Sequence, residues 1–250
     1  MKHALPTFAL AFAIGCGGNT GAPSPSAAAG GTYSSAHFTF QYTTLDAGNI
    51  AATAAAVERE YARILADLRA ETMPPVTVTF YLDHGALEAA TRATAGIVPA
   101  WTAGLVTSQS HIHLMSPNLP AWGSYERMLS HLVHEFAHCV SLRRNPRIGN
   151  NPRWLWESVA IYESGQSVDL RSVDYMRALT PPPFETLNGF DNTRVYDVGY
   201  SIAEFVVARW GGAAIAELVT TNGDTSAVLG LSLAEFQRDW FAFARERYSL

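Results

Sequence analysis

The segment His134 to His138 (HEFAH) constrains the fold of this chain more than any other feature of its sequence. Residues four positions apart lie nearly above one another on an α-helix, so His134 and His138 can present their imidazoles to one metal ion. Glu135 lies about 100° further round the helix, where its carboxylate can reach a water molecule beside that ion. The spacing therefore predicts a helix with a metal-binding face.

The residues around this segment divide into a polar side and an apolar side on a helical wheel. His131 falls on the side of the two histidines, whereas Leu132, Phe136 and Val140 gather on the opposite side. This division predicts an amphipathic helix over residues 124–143. The alternative interpretation is a helix whose histidines are ordinary surface residues.

Glu157 stands where a third ligand from a second helix is expected. Eighteen residues separate it from His138, and Trp154 and Ala160 place it on the apolar side of a helix predicted over residues 152–164. A carboxylate on that side is costly unless it is paired or bound to a metal. We therefore expect Glu157 and the two histidines to bind one Zn²⁺ and to leave the fourth position to water. The alternative is a surface acid near a helix start.

The combined pattern resembles a known family. HExxH followed after eighteen residues by Glu, within the Trp-Leu-x-Glu-x-x-Ala-x-Tyr context of residues 154–162, is similar to the gluzincin zinc metallopeptidases. The similarity is to the aminopeptidase-type branch and its small peptidase MA-like relatives, over roughly residues 100–220. It implies that His134, His138 and Glu157 bind one Zn²⁺ and that Glu135 acts as general base and then proton donor.

The resemblance also implies a tyrosine that stabilises the oxyanion of the reaction. Tyr196 fits the family outline, because small and apolar residues follow it at the family's spacing before Trp210-Gly211. Tyr200, one helical turn later on the same face, is the alternative. Both tyrosines can also be read as packing aromatics.

Two departures from the family pattern bear on the substrate. Ser158 replaces the glycine that usually follows the ligand Glu, and no Gly-x-Met-Glu-Asn segment, which holds a substrate's α-amine, precedes the zinc helix. The expected function is zinc-dependent hydrolysis of a peptide or protein substrate, with endopeptidase and exopeptidase action both open. The alternatives are a catalytically inactive, zinc-binding envelope lipoprotein that binds peptides or acts as a scaffold, and a structural zinc protein.

The N-terminal residues have the pattern of an export signal. Residues 1–15 carry Lys2 and a short apolar run, and small residues precede Cys16 as in a bacterial lipobox. This predicts a lipoprotein signal peptide over 1–15, lipidation of Cys16, and a flexible tether rich in Gly, Ala, Ser and Pro over 16–31. The expected product is an exported bacterial envelope protein, lipid-anchored to a membrane on its extracytoplasmic side. A plain signal peptide cut nearby is the alternative.

Composition and cysteine content bear on the possible partners of the chain and on its disulfides. The formal net charge is −5 and 48% of the residues are hydrophobic, so no basic patch is available and we expect no nucleic-acid partner. Cys16 and Cys139 are the two cysteines of the chain. Cys139 turns away from the two histidines on the helical wheel, which predicts a buried, unpaired thiol.

The order of predicted elements indicates an α+β domain over residues 32–250. Most predicted strands come first and the helices dominate later, so we expect a small mixed-sheet lobe over about 32–122, a mostly helical lobe over about 123–250, and zinc in the cleft between them, as in gluzincin and thermolysin-like catalytic domains. The predicted strands cover 37–42, 76–82, 103–107 and 111–115, and the predicted helices cover 47–70, 86–94, 124–143, 152–164, 169–179, 194–210, 212–221 and 231–248.

The strand at 111–115 has a particular expected role. By resemblance to gluzincins, it is the candidate for the edge strand that borders the cleft and pairs with an extended substrate. His111 and His113 share one face of it and are expected to face solvent or substrate.

Overall fold

The computed structural model describes residues 29–190 and 192–250. The predicted signal peptide, Cys16 and residues 17–28 of the predicted tether lie outside the described residues. Within the described ranges, no helix has both the length and the apolar character needed to cross a membrane.

Five strands form one mixed sheet, which confirms the α+β class. The strands are β1 (Ala29–Ser34), β2 (Phe38–Thr43), β3 (Val76–Tyr81), β4 (Gly104–Ser108) and β5 (His111–Met115). Their order is β1-β2-β3-β5-β4. The pairs β2–β3 and β3–β5 are parallel, whereas β1–β2 and β4–β5 are antiparallel.

The sheet order corrects the prediction for the edge strand. β5 lies inside the sheet, where Val78 of β3 pairs with Ile112 on one side and Val106 of β4 pairs with the same residue on the other. β4 is therefore the edge strand on this side of the described sheet. The opposite edge is β1, a strand that the sequence analysis did not predict and whose first residues overlap the end of the predicted tether.

The helices agree closely with the predicted segments. They are α1 (Ile50–Asp67), α2 (His84–Ala95), α3 (Tyr125–Arg144), α4 (Arg153–Glu163), α5 (Asp174–Arg177), α6 (Phe184–Leu187), α7 (Val195–Trp210), α8 (Gly212–Thr220), α9 (Thr225–Leu229) and α10 (Leu233–Tyr248). The short helices α6 and α9 were not predicted.

The predicted helix at 169–179 is the main error in the helical part. A 3₁₀ turn at Leu170–Ser172 and the short α5 replace it, with Val173 in an extended conformation between them. The Asp169 carboxylate accepts a hydrogen bond from the Arg171 backbone N–H at 3.0 Å. Such local side-chain bonds compete with helical hydrogen bonds, which explains the interruption.

The helices α1 and α3 cover one face of the sheet. Phe136 of α3 lies edge-on to Phe38 of β2, with 5.1 Å between ring centroids, and stacks on Tyr61 of α1 at 5.5 Å. The buried apolar residues of the sheet and of the helices belong to one continuous core. The apolar side of α3 is thus anchored in this core, which turns its polar side towards α4.

The helices α4 and α7 pack closely at Gly199. A Cβ added at Gly199 would lie 2.7 Å from Cδ1 of Ile161 and 3.2 Å from the Ser158 Cα. Ser158 donates from Oγ to the Trp154 carbonyl at 2.6 Å. The close approach brings the first turn of α7 beside the first turns of α4.

Candidate metal centre

The helix α3 presents its two histidines as the sequence predicted. Its first turn is capped by Ser124, whose side chain accepts from the Arg127 backbone N–H at 3.2 Å. His134 and His138 are each only 4% exposed. Their rings lie 4.7 Å apart at 90°. One turn of helix therefore brings both imidazoles to the same buried position.

Glu157 of α4 completes a three-residue cluster with these histidines. Its Oε2 lies 3.3 Å from Nε2 of His134 and 3.7 Å from Nε2 of His138. One ligand atom from each residue lies within 4.8 Å of the other two. Glu157 is 7% exposed, as its place on the apolar side of the helix predicted. The cluster could hold one metal ion.

A buried carboxylate oxygen without a hydrogen-bond partner among the described residues is consistent with a metal site in this cluster. Oε2 of Glu157 is buried and has no hydrogen-bond partner among the described residues, although it faces both imidazole Nε2 atoms. An unsatisfied buried carboxylate oxygen is costly. Two imidazoles and a carboxylate are ligands that zinc and several other divalent ions accept. The residues present thus match the chemistry of a three-ligand metal site.

The pKa shifts of His138 and Glu157 suit metal binding, whereas that of His134 opposes it. Burial lowers the pKa of His138 to about 4, so its imidazole is neutral near pH 7. Burial would raise the pKa of Glu157, but the proximity of the two histidines outweighs it and holds that pKa far below its usual value. For His134 burial is again outweighed, and interaction with Glu157 raises its pKa. A bound ion would therefore have to displace the proton that this raised pKa favours on His134.

The Nδ1 atoms of His134 and His138, on the far side of each ring from Glu157, have different surroundings. The Gln166 Oε1 lies 3.0 Å from Nδ1 of His134, and the Gln166 Nε2 lies 3.4 Å from Nδ1 of His131. Because an amide oxygen only accepts, the His134 Nδ1 donates, which leaves its Nε2 for an ion. Nδ1 of His138 has no hydrogen-bond partner in the described part of the chain, and its ring stacks on Trp156 at 4.0 Å and 6°.

Glu135 is buried beside the cluster but is not one of the three ligand candidates. It is 4% exposed, and its Oε2 has no hydrogen-bond partner within the described ranges. Burial raises the pKa of Glu135 to about 7. A Cβ added at Gly104 would lie 3.2 Å from the Glu135 Oε1, so the backbone of the edge strand β4 passes next to this carboxylate. A carboxylate with these properties can exchange protons near neutral pH.

Tyr196, rather than Tyr200, lies next to the cluster. Arg153, four residues before Glu157 on α4, donates from Nη2 to the Tyr196 hydroxyl at 3.3 Å. Burial, followed by the charge of Glu157, raises the pKa of Tyr196 well above its usual value. Tyr200 packs instead against Tyr162, with 5.2 Å between ring centroids. Of the two sequence candidates, Tyr196 is therefore the one that contacts Arg153, the neighbour of Glu157 on α4.

Of the two histidines of β5, His113 is not where the sequence analysis expected it, whereas His111 is half-buried. His113 is 5% exposed, and it lies 2.7 Å from the Tyr81 hydroxyl and 3.1 Å from the Thr107 hydroxyl. His111 stacks on it at 4.1 Å. His113 is buried because the Tyr81 and Thr107 side chains of the neighbouring strands lie against its ring. The expectation that His113 faces solvent or substrate is therefore wrong.

Two residues near the cluster were missed by sequence reasoning. Arg153 has a sequence signal, because a cation four residues before an acid on a helix lies beside it. Gln166 follows the last turn of α4 and has no such signal. Cys139 is buried, as predicted, and forms no disulfide with any residue that the structure describes.

Comparison of the chain with protein-family models, with curated proteins and with solved structures finds no significant match.

Proposed function

We propose that this chain is a zinc-dependent peptidase that hydrolyses peptide bonds and belongs to the gluzincin type. The observation that carries the proposal is the convergence of His134, His138 and Glu157 next to Glu135, whose Oε2 has no partner in the described chain. Three protein ligands and a free carboxylate are the set that metal-assisted hydrolysis needs.

The proposed ion is a single Zn²⁺. When bound, it supplies Lewis acidity, which makes a water molecule a stronger nucleophile near neutral pH and polarises a substrate carbonyl. His134 and His138 would bind it through Nε2 and Glu157 through Oε2, the atoms that already face one another. The remaining coordination position would stay open to water and substrate.

The side chains around the ion would carry the proton transfers. Glu135 takes a proton from the attacking water and delivers it to the leaving amine, a role that suits a buried carboxylate with a pKa of about 7. Tyr196 donates a hydrogen bond to the carbonyl oxygen as negative charge develops there. Its raised pKa keeps the hydroxyl protonated at neutral pH.

The edge strand β4 is the proposed guide for the substrate backbone. It passes beside Glu135 at Gly104, and no described strand pairs with its outer edge. An extended peptide can add to such an edge by backbone hydrogen bonds. This role moves from β5, where the sequence placed it, to the neighbouring strand.

Peptide turnover with matched variants tests the proposed function. Casein or a peptide library should be cleaved by wild-type protein, with loss of cleavage in a chelator and recovery with Zn²⁺. Glu135→Ala should keep the metal and lose turnover, whereas His138→Ala should lose both. Glu185→Ala, at an exposed acid outside the site, serves as the control. Wild-type turnover in Glu135→Ala would refute the mechanism, and zinc binding without any turnover would favour an inactive, peptide-binding protein.

Export and lipid attachment are a separate part of the proposal. We propose that Cys16 is lipid-modified after cleavage of residues 1–15, which anchors the protein in a bacterial envelope membrane. Small residues before Cys16 and the apolar run ahead of them support this proposal. Incorporation of labelled palmitate should be lost in Cys16→Ser, and unchanged labelling of this variant would exclude Cys16 as the attachment site.

A further inference from the structure

Arg153 is a fully buried cation at the start of α4. It is only 2% exposed, although arginine is rarely buried without partners. Its Nη1 lies 2.6 Å from the carbonyl oxygen of Asn192, 3.2 Å from that of Gly189 and 3.4 Å from that of Leu187. These carbonyls belong to the last residue of α6 and to the segment between α6 and α7, so the guanidinium is fixed from one side by the backbone.

The Nε of Arg153 faces the cluster of His134, His138 and Glu157. Its Nε lies 3.7 Å from Oε1 of Glu157, the oxygen that does not face the histidines. The positive charge therefore attracts one carboxylate oxygen while the other, Oε2, remains directed at the two imidazoles. Partners outside the ligand set that orient a ligating carboxylate commonly control metal affinity.

The same guanidinium also orients the Tyr196 hydroxyl. The oxygen of this hydroxyl accepts from Arg153 Nη2 at 3.3 Å. A hydroxyl oxygen that accepts from one side keeps its own proton for another partner. Arg153, which only donates, cannot take that proton. The arrangement leaves the Tyr196 proton available to an acceptor in the site.

We propose that Arg153 is a positioning residue that orients the metal ligand Glu157 and the hydroxyl of Tyr196 together, with the three backbone carbonyls around its Nη1 as its anchor. The role towards Glu157 requires only a metal site, whereas the role towards Tyr196 rests on the proposed peptidase function. An arginine suits this task because its planar fork reaches several acceptors in fixed directions at once. A lysine in its place keeps the charge but offers a single nitrogen.

Zinc affinity tests the first role without any need for activity. Apo protein is titrated with Zn²⁺ alone against a chromophoric chelator. Arg153→Lys should bind Zn²⁺ roughly 10- to 100-fold more weakly than wild type, the range found for partners that orient metal ligands. Arg194→Lys is the matched control, because Arg194 is exposed nearby and lies over the Tyr175 ring at 4.9 Å instead of touching the cluster. It should bind zinc as wild type does.

Steady-state kinetics test the second role. Arg153→Lys should lower kcat more than it raises KM, and the loss should shrink when the substitution is made in Tyr196→Phe. Such non-additivity is expected only if the two side chains act through one another. Zinc is added to saturation in all four proteins, so that weaker metal binding does not enter the comparison.

The possible outcomes separate this proposal from the proposed function. Wild-type zinc affinity in folded Arg153→Lys would overturn the orientation of Glu157, and additive kinetic losses would overturn the orientation of Tyr196. If the protein cleaves no peptide at all, the peptidase proposal fails while the zinc titration still decides the role towards Glu157. Arg153→Gln serves as a second variant if Arg153→Lys does not fold. Failure of both to fold would make Arg153 a purely structural residue and would end the proposal.

Discussion

Gln166 is not one of the three ligand candidates, but it orients the imidazole of His134. Its Oε1 accepts from Nδ1 of His134, and this bond fixes which ring nitrogen would face a bound ion. His138 has no comparable polar partner in the described chain and is held by the Trp156 ring instead. Orientation of the two imidazoles therefore depends on a hydrogen bond in one case and on stacking in the other.

Replacement of Gln166 should weaken metal binding. Gln166→Leu removes the acceptor for His134 and should lower zinc affinity by roughly tenfold or more, measured by competition with a chelator. Gln166→Glu keeps an acceptor oxygen and should retain most of the affinity. Equal affinity of Gln166→Leu and wild type would show that the hydrogen bond does not orient the ring.

His113 should make the folded protein sensitive to acid. Burial, with a smaller contribution from His111, lowers its pKa to about 3, below the value of about 6.5 for an exposed histidine. As pH falls through about 6.5, the unfolded state takes up a proton that the folded state does not, so stability is lost below that pH. The loss from His113 amounts to at most about 3 kcal/mol between pH 7 and pH 4.

Urea unfolding at several pH values measures this effect. The free energy of unfolding of wild type should fall from pH 7 to pH 4, and His113→Gln should flatten that fall. Glutamine does not ionise and can still bond with the Tyr81 or Thr107 hydroxyl. An identical pH profile for His113→Gln and wild type would rule out His113 as a source of the acid sensitivity.

The sequence predicts the bounds of an element well where its apolar residues repeat at a clear helical spacing. The helix α3 and the place of Glu157 on α4 follow from apolar residues at helical spacing, and the structure has them within a residue or two of the predicted bounds. The order of β4 and β5 does not follow in this way, because period alone does not determine which strand pairs with which. Arg153 and Gln166 reach the site only through the packing of α4, so their contacts depend on the tertiary structure.

The packing of α4 against α7 should tolerate little added volume at Gly199. Gly199→Ala would place a methyl group 2.7 Å from Cδ1 of Ile161 and 3.2 Å from Cα of Ser158, and only the first of these neighbours is a flexible side-chain end. Overpacking of this kind should lower the free energy of unfolding by about 1–3 kcal/mol in denaturant titrations. Gly212→Ala is the control, because nothing lies within 4 Å of its added Cβ. Equal stability of the two variants would contradict the close packing.

In the molecule as a whole, the cluster of His134, His138 and Glu157 lies between two parts of the core. The helix α3 packs on the sheet through Phe136, whereas α4 packs on α7, and the ligands of the cluster come from both α3 and α4. An ion bound to all three side chains would link these two parts. Since the site is formed only in the folded chain, ion binding should be coupled to global stability.

Zinc should therefore raise the thermal stability of the entire protein. A ligand at 100 times its Kd adds about 2.7 kcal/mol to the free energy of unfolding when it binds only the folded state. The Tm of wild type should rise with Zn²⁺ concentration and fall again with a chelator, whereas the Tm of Glu157→Gln should respond much less. A wild-type Tm that is independent of zinc would argue against a bound ion in the folded protein.

The stacking of Trp156 on His138 has a practical consequence. The indole and the imidazole are nearly parallel at 4.0 Å, so a change in the charge of that imidazole changes the electrostatic environment of the indole. Occupation of the site would therefore alter the ultraviolet emission of Trp156. Tryptophan fluorescence could therefore follow metal binding without an added label, at His138, whose Nδ1 has no hydrogen-bond partner among the described residues.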